Sequence, residues 1–173
     1  MIKIYCDMDG VLTFFDKAVE AIGGQAGLGE NATEEQKQDM YDKIEKAGED
    51  FWAYMDWAPG GQELWNFLAP HIPVLLSSPG EFSYAKAGKQ IWVQNNIPGT
   101  TLLLSSDKYR YAEMDAILID DMSDNVGAWQ ELNGIGILHK DTAETIQKIK
   151  EILNREGIKI SYSDILRRLA DHI

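Results

Sequence analysis

The sequence predicts an α/β fold: a central parallel sheet with helices packed on its faces. Three observations carry that expectation. Five short apolar runs, Ile2–Cys6, Pro73–Leu76, Thr101–Leu104, Ala116–Ile119 and Ile135–Leu138, are each bounded by Gly, Pro, Ser or Asp. Runs this short and this uniformly apolar suit central parallel strands covered on both faces. Longer amphipathic stretches near 60–69, 81–96, 123–132 and 141–153 separate them, and alternation of strand with helix builds a doubly wound sheet. Finally, acids, hydroxyls and one lysine gather immediately after four consecutive runs, where open parallel sheets bind their ligands.

The first run begins almost at the N-terminus. It shows neither the long apolar segment nor the small-residue cleavage site of a signal peptide. No run approaches the ~20 apolar residues needed to cross a bilayer, so a cytoplasmic protein is expected, with no membrane partner. Cys6 is the single cysteine of the 173 residues. An intramolecular disulfide is thereby ruled out, which suits a reducing compartment. Lying in an apolar run, Cys6 reads as a small buried core residue.

About sixty residues separate the first run from the second, and they contain no strand-like pattern. Thr33 followed by Gln36 makes a capping box at the start of a helix over 33–47. Met40, Ile44 and Ala47 then share one face. FWAYMDW at 51–57 follows, and Ala58-Pro59-Gly60-Gly61 turns the chain. This interval reads as a small helical insertion, giving a core of 1–14 and 71–173 and a cap of 15–70. At the far end, 154–173 reads as a last helix. Ser161 and Asp164 would cap it, and Ile165, Leu166, Leu169 and Ile173 would form its apolar face. Packing on the sheet is its default role, and a dimer contact is the alternative, so monomer and homodimer both stay open.

The formal net charge is −12. Such a surface repels a phosphate backbone, which argues against stable nucleic-acid binding. A phosphate ester would need a cation between itself and the acids.

The strand ends supply candidates for that chemistry. Asp7 and Asp9, two apart in extended chain, point the same way before Gly10 turns the backbone. Two carboxylates so close repel unless a metal or a shared proton intervenes, whereas a lone Asp-x-Asp-Gly is otherwise an ordinary turn. Asp120 and Asp121 follow the fourth run, and adjacent carboxylates at a buried strand end are costly without a cation. Magnesium, which prefers oxygen ligands, fits Asp7, Asp121 and a backbone carbonyl. Ser123 reads as the N-cap of the next helix and Asp124 as a first-turn group. Ser77 follows the second run as a donor to a phosphoryl oxygen or as a plain strand-to-helix turn. Lys108 offers positive charge to a phosphoryl group, with Arg110 as its rival. His71, His139 and His172 show no metal-ligand spacing and read as structural or exposed. The chain has no Walker loop, zinc pattern or serine-hydrolase elbow.

Taken together, these residues resemble the haloacid dehalogenase-like (HAD) superfamily over about residues 1–150. Asp7-Met8-Asp9-Gly10-Val11-Leu12 is similar to its first motif, Ser77 to its second, Lys108 to its third and Asp120-Asp121 to its fourth. Within it the chain most resembles the 5'(3')-deoxyribonucleotidases, through DMDGVL, FWAYMDWAPGG, Ser77-Ser78-Pro79, Asp107-Lys108 and Ile119-Asp120-Asp121. The resemblance implies a HAD-like Rossmannoid three-layer fold with a small helical cap inserted after the first strand. It implies Asp7 as nucleophile, Asp9 as general acid/base whose backbone carbonyl also meets Mg2+, and Asp121 as the second side-chain ligand with Asp120 as its neighbour. Ser77, Ser78 and Lys108 would hold the phosphate, while Phe15 and Trp52 would face a nucleobase or else pack the insertion against the sheet. The substrate so implied is a nucleoside monophosphate. Two positions depart from the pattern: Ser106 and Glu81 stand where basic residues are expected, which leaves a less positive pocket. The alternatives are a phosphatase for another small phosphorylated metabolite and a non-catalytic HAD-like binding protein.

Overall fold

The computed structural model describes residues 2–28, 32–80, 83–114 and 116–155. Glu81, His172 and the helix expected beyond residue 155 lie outside the described residues. Five strands form one sheet: β1 (Lys3–Cys6), β2 (Val74–Ser77), β3 (Leu102–Leu104), β4 (Ala116–Asp120) and β5 (Ile135–Leu138). All pairings are parallel, in the order β3-β2-β1-β4-β5. Each strand falls within two residues of its apolar run.

The two-residue period of the strands divides the core. Ile4, Cys6, Leu75, Ile117 and Ile119 face one side, with Trp92 and Ile149. Tyr5, Leu76, Ala116 and Leu118 face the other, with Trp129. Helices α4 (Gly61–Leu68), α5 (Ser83–Asn96) and α7 (Thr142–Arg155) supply the first layer, and α6 (Ser123–Glu131) supplies the second. Ser123 is the first residue of α6 rather than its N-cap, which is Met122 and carries no side-chain cap bond.

The interval after β1 is helical, as its pattern predicts: α1 (Phe15–Ala21), α2 (Glu34–Ala47) and α3 (Glu49–Ala53). The capping box is formed, with Gln36 N donating to Thr33 Oγ1 at 3.2 Å and Thr33 N to Gln36 Oε1 at 2.9 Å. Ile44 is buried, and Met40 and Ala47 pack beside it on the core. The chain leaves and re-enters side by side, because Phe14 N bonds Asp56 O and Ala58 N bonds Leu12 O, each at 2.8 Å. Beyond that return α4 packs on α7 and buries Leu64 and Leu68. The insertion docks on α5 through α3. A Cβ at Gly88 would lie 2.6 Å from the Glu49 carbonyl oxygen, so only glycine lets these helices approach so closely. Trp92 Nε1 adds a hydrogen bond to Met55 O at 2.8 Å.

Candidate active site

The strand order fixes where a site can form. From β1 the chain adds β2 and β3 on one side, then crosses to add β4 and β5 on the other. Such a reversal opens a crevice at the carboxyl ends of the two strands flanking it. Asp7 leaves β1 there, its N–H bonded to Ile119 O at 2.9 Å, and Asp120 ends β4, its carbonyl accepting from His139 N at 2.8 Å. The carboxylates of Asp7, Asp120 and Asp121 each offer an oxygen within 4.8 Å of the others. Asp7 and Asp121 line a cavity of about 770 Å³ that Asp9 and Lys108 also border, together with Phe15, Met40, Tyr41 and Trp52 of the insertion. That volume suits a small-molecule ligand.

Lys108 is buried between two of the acids, 2.8 Å from Asp7 Oδ1 and 2.6 Å from Asp120 Oδ2. Burial works against its charge, but Asp7 and Asp120 outweigh it and hold the ammonium's pKa above the ordinary lysine value. Arg110, its rival in the sequence, is on the surface, paired with Asp107 at 2.9 Å. Asp120 is fully buried and has no oxygen to spare. Met122 N and Asn125 Nδ2 donate to Oδ1, and Lys108 and Asn125 donate to Oδ2. It anchors Lys108 rather than reaching the cavity.

Asp7 and Asp121 are less well compensated. Burial pushes the Asp7 carboxyl up to about 6; Lys108 opposes the shift, while Asp120 and Asp9 reinforce it. Burial likewise raises Asp121 to about 7, followed by repulsion from Asp7 and Asp120. The Lys108 contact to Asp7 Oδ1 is one of charge without hydrogen-bond alignment, so that oxygen is buried with no donor. No lysine or arginine pairs with Asp121 among the described residues. Gly10, with φ +80°, makes room for it: a Cβ there would come within 2.7 Å of Asp121 Cγ and closer still to Oδ2.

Asp9 belongs to a second ion-paired group. Lys89, on α5 and only 1% exposed, donates to Asp9 Oδ2 at 2.6 Å, Ser77 Oγ at 2.9 Å and Ser78 O at 2.7 Å. Thr13 Oγ1 donates to Asp9 Oδ1 at 3.0 Å. Ser77 is fully buried, whereas Ser78 lines the cavity. The Trp52 ring covers Lys89, its centroid 4.7 Å from Nζ, and packs against Phe51 at 4.9 Å and Phe15 at 5.9 Å. His139 also lies at the cavity wall, with Nδ1 2.9 Å from Thr145 Oγ1. Burial lowers its pKa, so it adds no cation near neutral pH.

These residues fit a magnesium ion. Three carboxylates against one ammonium leave two uncompensated negative charges: Asp7 has only a share of Lys108, and Asp121 has no cationic partner among the described residues. A hard divalent cation, taking oxygen ligands at about 2.1 Å, would satisfy both.

No protein-family model matches the chain, and no curated protein matches it. Solved structures do. A hydrolase from Pseudomonas syringae superposes with a TM-score of 0.50 and 15% identity, over 85% of this chain and 90% of that one. A HAD family hydrolase from Deinococcus radiodurans R1, with bound phosphate and sodium, gives 0.50 and 14% identity over 86% and 87%. A haloacid dehalogenase-like family protein from Streptococcus pneumoniae gives 0.50 and 13% identity over 79% and 83%. The fold is HAD-like.

Within this HAD-like fold the structure brings Asp7, Asp9, Asp120, Asp121, Ser77, Ser78 and Lys108 to one end of the sheet, with Phe15 and Trp52 above. Sequence reading passed over Lys89, Thr13 and Asn125. Lys89 had left a signal. It falls in register with Ala85, Trp92 and Val93 on the buried face of α5, and a charge on an apolar helix stripe asks for a buried partner. Asn125 gave none, since a polar residue in the first turn of a helix is ordinary.

Proposed function

We propose that the chain is a magnesium-dependent phosphomonoesterase that works through an aspartyl-phosphate on Asp7, with a nucleoside monophosphate as substrate. The observation that carries this reading is the meeting of Asp7 and Asp121, from separate strands, with Lys108 held against Asp7. Asp7, Asp121 and the Asp9 carbonyl would hold the metal, which when bound neutralises the acids and withdraws charge from the phosphoryl group. An Asp7 carboxylate oxygen attacks phosphorus, and the ester P–O bond breaks. Its electron pair stays on the leaving oxygen, which takes a proton from the Asp9 carboxyl. The Asp9 carboxylate then removes a proton from water as that water attacks the aspartyl-phosphate. The P–O bond to Asp7 breaks, which frees phosphate and restores the carboxylate. Lys108 and Ser78 hold phosphoryl oxygens, whereas Ser77, expected from the sequence to join them, is buried away from the cavity with its Oγ accepting from Lys89. Asp120 keeps Lys108 in place.

Helices α1 to α3, between the paired segments at Phe14 and Asp56, act as a cap. Phe15 and Trp52 give the cavity an aromatic wall, which suits a nucleobase. A second reading, another small phosphorylated metabolite, draws on Ser106, which lines the cavity at a position where an arginine would have added charge. A phosphate-release screen over nucleoside and sugar monophosphates, with and without magnesium, tests the substrate. Turnover of nucleotides only with magnesium supports the first choice; turnover of sugar phosphates alone overturns it. Asp7→Asn is expected to abolish hydrolysis of p-nitrophenyl phosphate while the protein stays folded, and full activity in that variant refutes the nucleophile assignment.

A further inference from the structure

We propose that Lys89 is the positioning residue for Asp9: its ammonium, closed in beneath Trp52, fixes the carboxylate in the orientation from which it serves the leaving oxygen. The inference rests on the reading of Asp9 as acid/base. Lys89 itself belongs to none of the four motifs that suggested that reading.

A lysine ammonium has three donors. Here each has one acceptor: Asp9 Oδ2, Ser77 Oγ and Ser78 O, at 2.6, 2.9 and 2.7 Å. The Trp52 ring closes the remaining approach, a favourable seat for a cation. With no donor left over and 1% exposure, the ammonium has one position. Asp9 is then gripped at both oxygens, by Lys89 on Oδ2 and by Thr13 on Oδ1. Rotation about its side-chain torsions would break one bond or the other. An apolar side chain of similar length would fill the same space without the cost of burying a charge, so packing alone does not account for a lysine here. The seat is also built across elements. Lys89 and Gly88 are adjacent on α5, and the close approach of α3 at Gly88 sets Trp52 over Lys89. The cap thereby takes part in holding Asp9.

The two lysines divide the labour. Lys108 contacts Asp7 and Asp120, and Lys89 contacts Asp9. Loss of Lys89 is expected to disturb proton delivery and to leave the nucleophile's surroundings in place.

The test is Lys89→Met, assayed with magnesium on aryl phosphates whose leaving phenols differ in acidity, p-nitrophenyl against phenyl phosphate. kcat/KM covers the steps through departure of the leaving group, and a poor leaving group depends more on the acid. Phenyl phosphate is expected to lose about tenfold or more beyond the loss for p-nitrophenyl phosphate, within the ~10²–10⁴ that general acid catalysis contributes. In an Asp9→Asn background, Lys89→Met should add less than about twofold, since residues acting through one group are not additive. Equal losses on both esters, or an undiminished loss in the Asp9→Asn background, overturn the proposal. If Lys89→Met does not fold by circular dichroism, Lys89→Gln, which keeps donors but loses charge and reach, carries the same expectations. A wild type inactive on every aryl phosphate would overturn the phosphatase reading and this proposal with it. An active wild type with uniform variant losses would overturn this proposal alone.

Discussion

Gly10→Ala is the sharpest probe of the proposed metal site, because it adds one methyl group and neither adds nor removes a charge. Two effects are expected, and they read out separately. Gly10 has φ +80°, where an L-residue with a Cβ costs about 1–2 kcal/mol. That loss belongs to the backbone and appears in chemical denaturation. The second effect is local to the site. The new Cβ would lie 2.7 Å from Asp121 Cγ, whereas carbon atoms rest at about 3.5–4.0 Å. The Asp121 carboxylate must therefore retreat by about 1 Å. A displacement of that size costs on the order of 10²-fold in a positioned site, and disturbing the support of a metal ligand costs about 10–100-fold in affinity. Titration calorimetry with magnesium, paired with phosphatase assays across magnesium concentrations, should show affinity weaker by about 10–100-fold. Activity should be partly restored at high magnesium. A variant that loses 1–2 kcal/mol of stability yet binds magnesium within twofold of wild type would refute the argument that Gly10 exists to admit Asp121.

Four further outcomes are expected. Lys108→Met leaves Asp7 and Asp120 buried without their shared cation, and should destabilise the metal-free protein by about 3–5 kcal/mol in urea; an unchanged midpoint would count against a charged, paired Lys108. Burial holds Asp7 at about 6 and Asp121 at about 7, above their unfolded values, so between about pH 4 and 7 these two groups bind more protons in the folded chain, against a smaller opposite contribution from the single His139. Metal-free stability should fall as pH rises through that window. Magnesium needs the ionised pair, so its increment in Tm should grow from about pH 5 to pH 8; an increment independent of pH would place the ion elsewhere. Thr33→Ala removes the cap of α2 and should cost about 1 kcal/mol by denaturation, with magnesium affinity unchanged.

How far the sequence could be read depended on the range of the interactions involved. The strands were legible because burial on both faces leaves an unbroken apolar run, and β5 was bounded to the residue. Asp7, Asp9, Asp120 and Asp121 were legible because strand ends concentrate function in this class of fold. The α2 capping box was legible because its two bonds span three residues. What failed was long-range or geometric. Lys89 meets Asp9 across eighty positions, and no local pattern names its partner. Met122 caps α6 in place of Ser123 because β4 runs on through Asp120 and sets the chain's exit. The closeness of α3 to α5 is a property of Gly88, whose value appears only when another helix lies upon it.

The apparent conflict between a −12 chain and a phosphate ester resolves at the scale of individual contacts. At physiological ionic strength charges more than about 8 Å apart across solvent are largely screened, so acids remote from the cavity bear little on it. Within it, Lys89 and Asp9 neutralise each other at 2.6 Å. Asp120 and Lys108 do the same. Among the acids at the strand ends the net deficit therefore falls on Asp7 and Asp121, the two carboxyls whose pKa values burial drives up. Among the described residues Asp120 and Asp9 each have a lysine, while Asp7 shares Lys108 with Asp120 and Asp121 has none, so the deficit lies in one place. The distribution of lysines, more than the number of aspartates, is what supports the proposal of a divalent ion there.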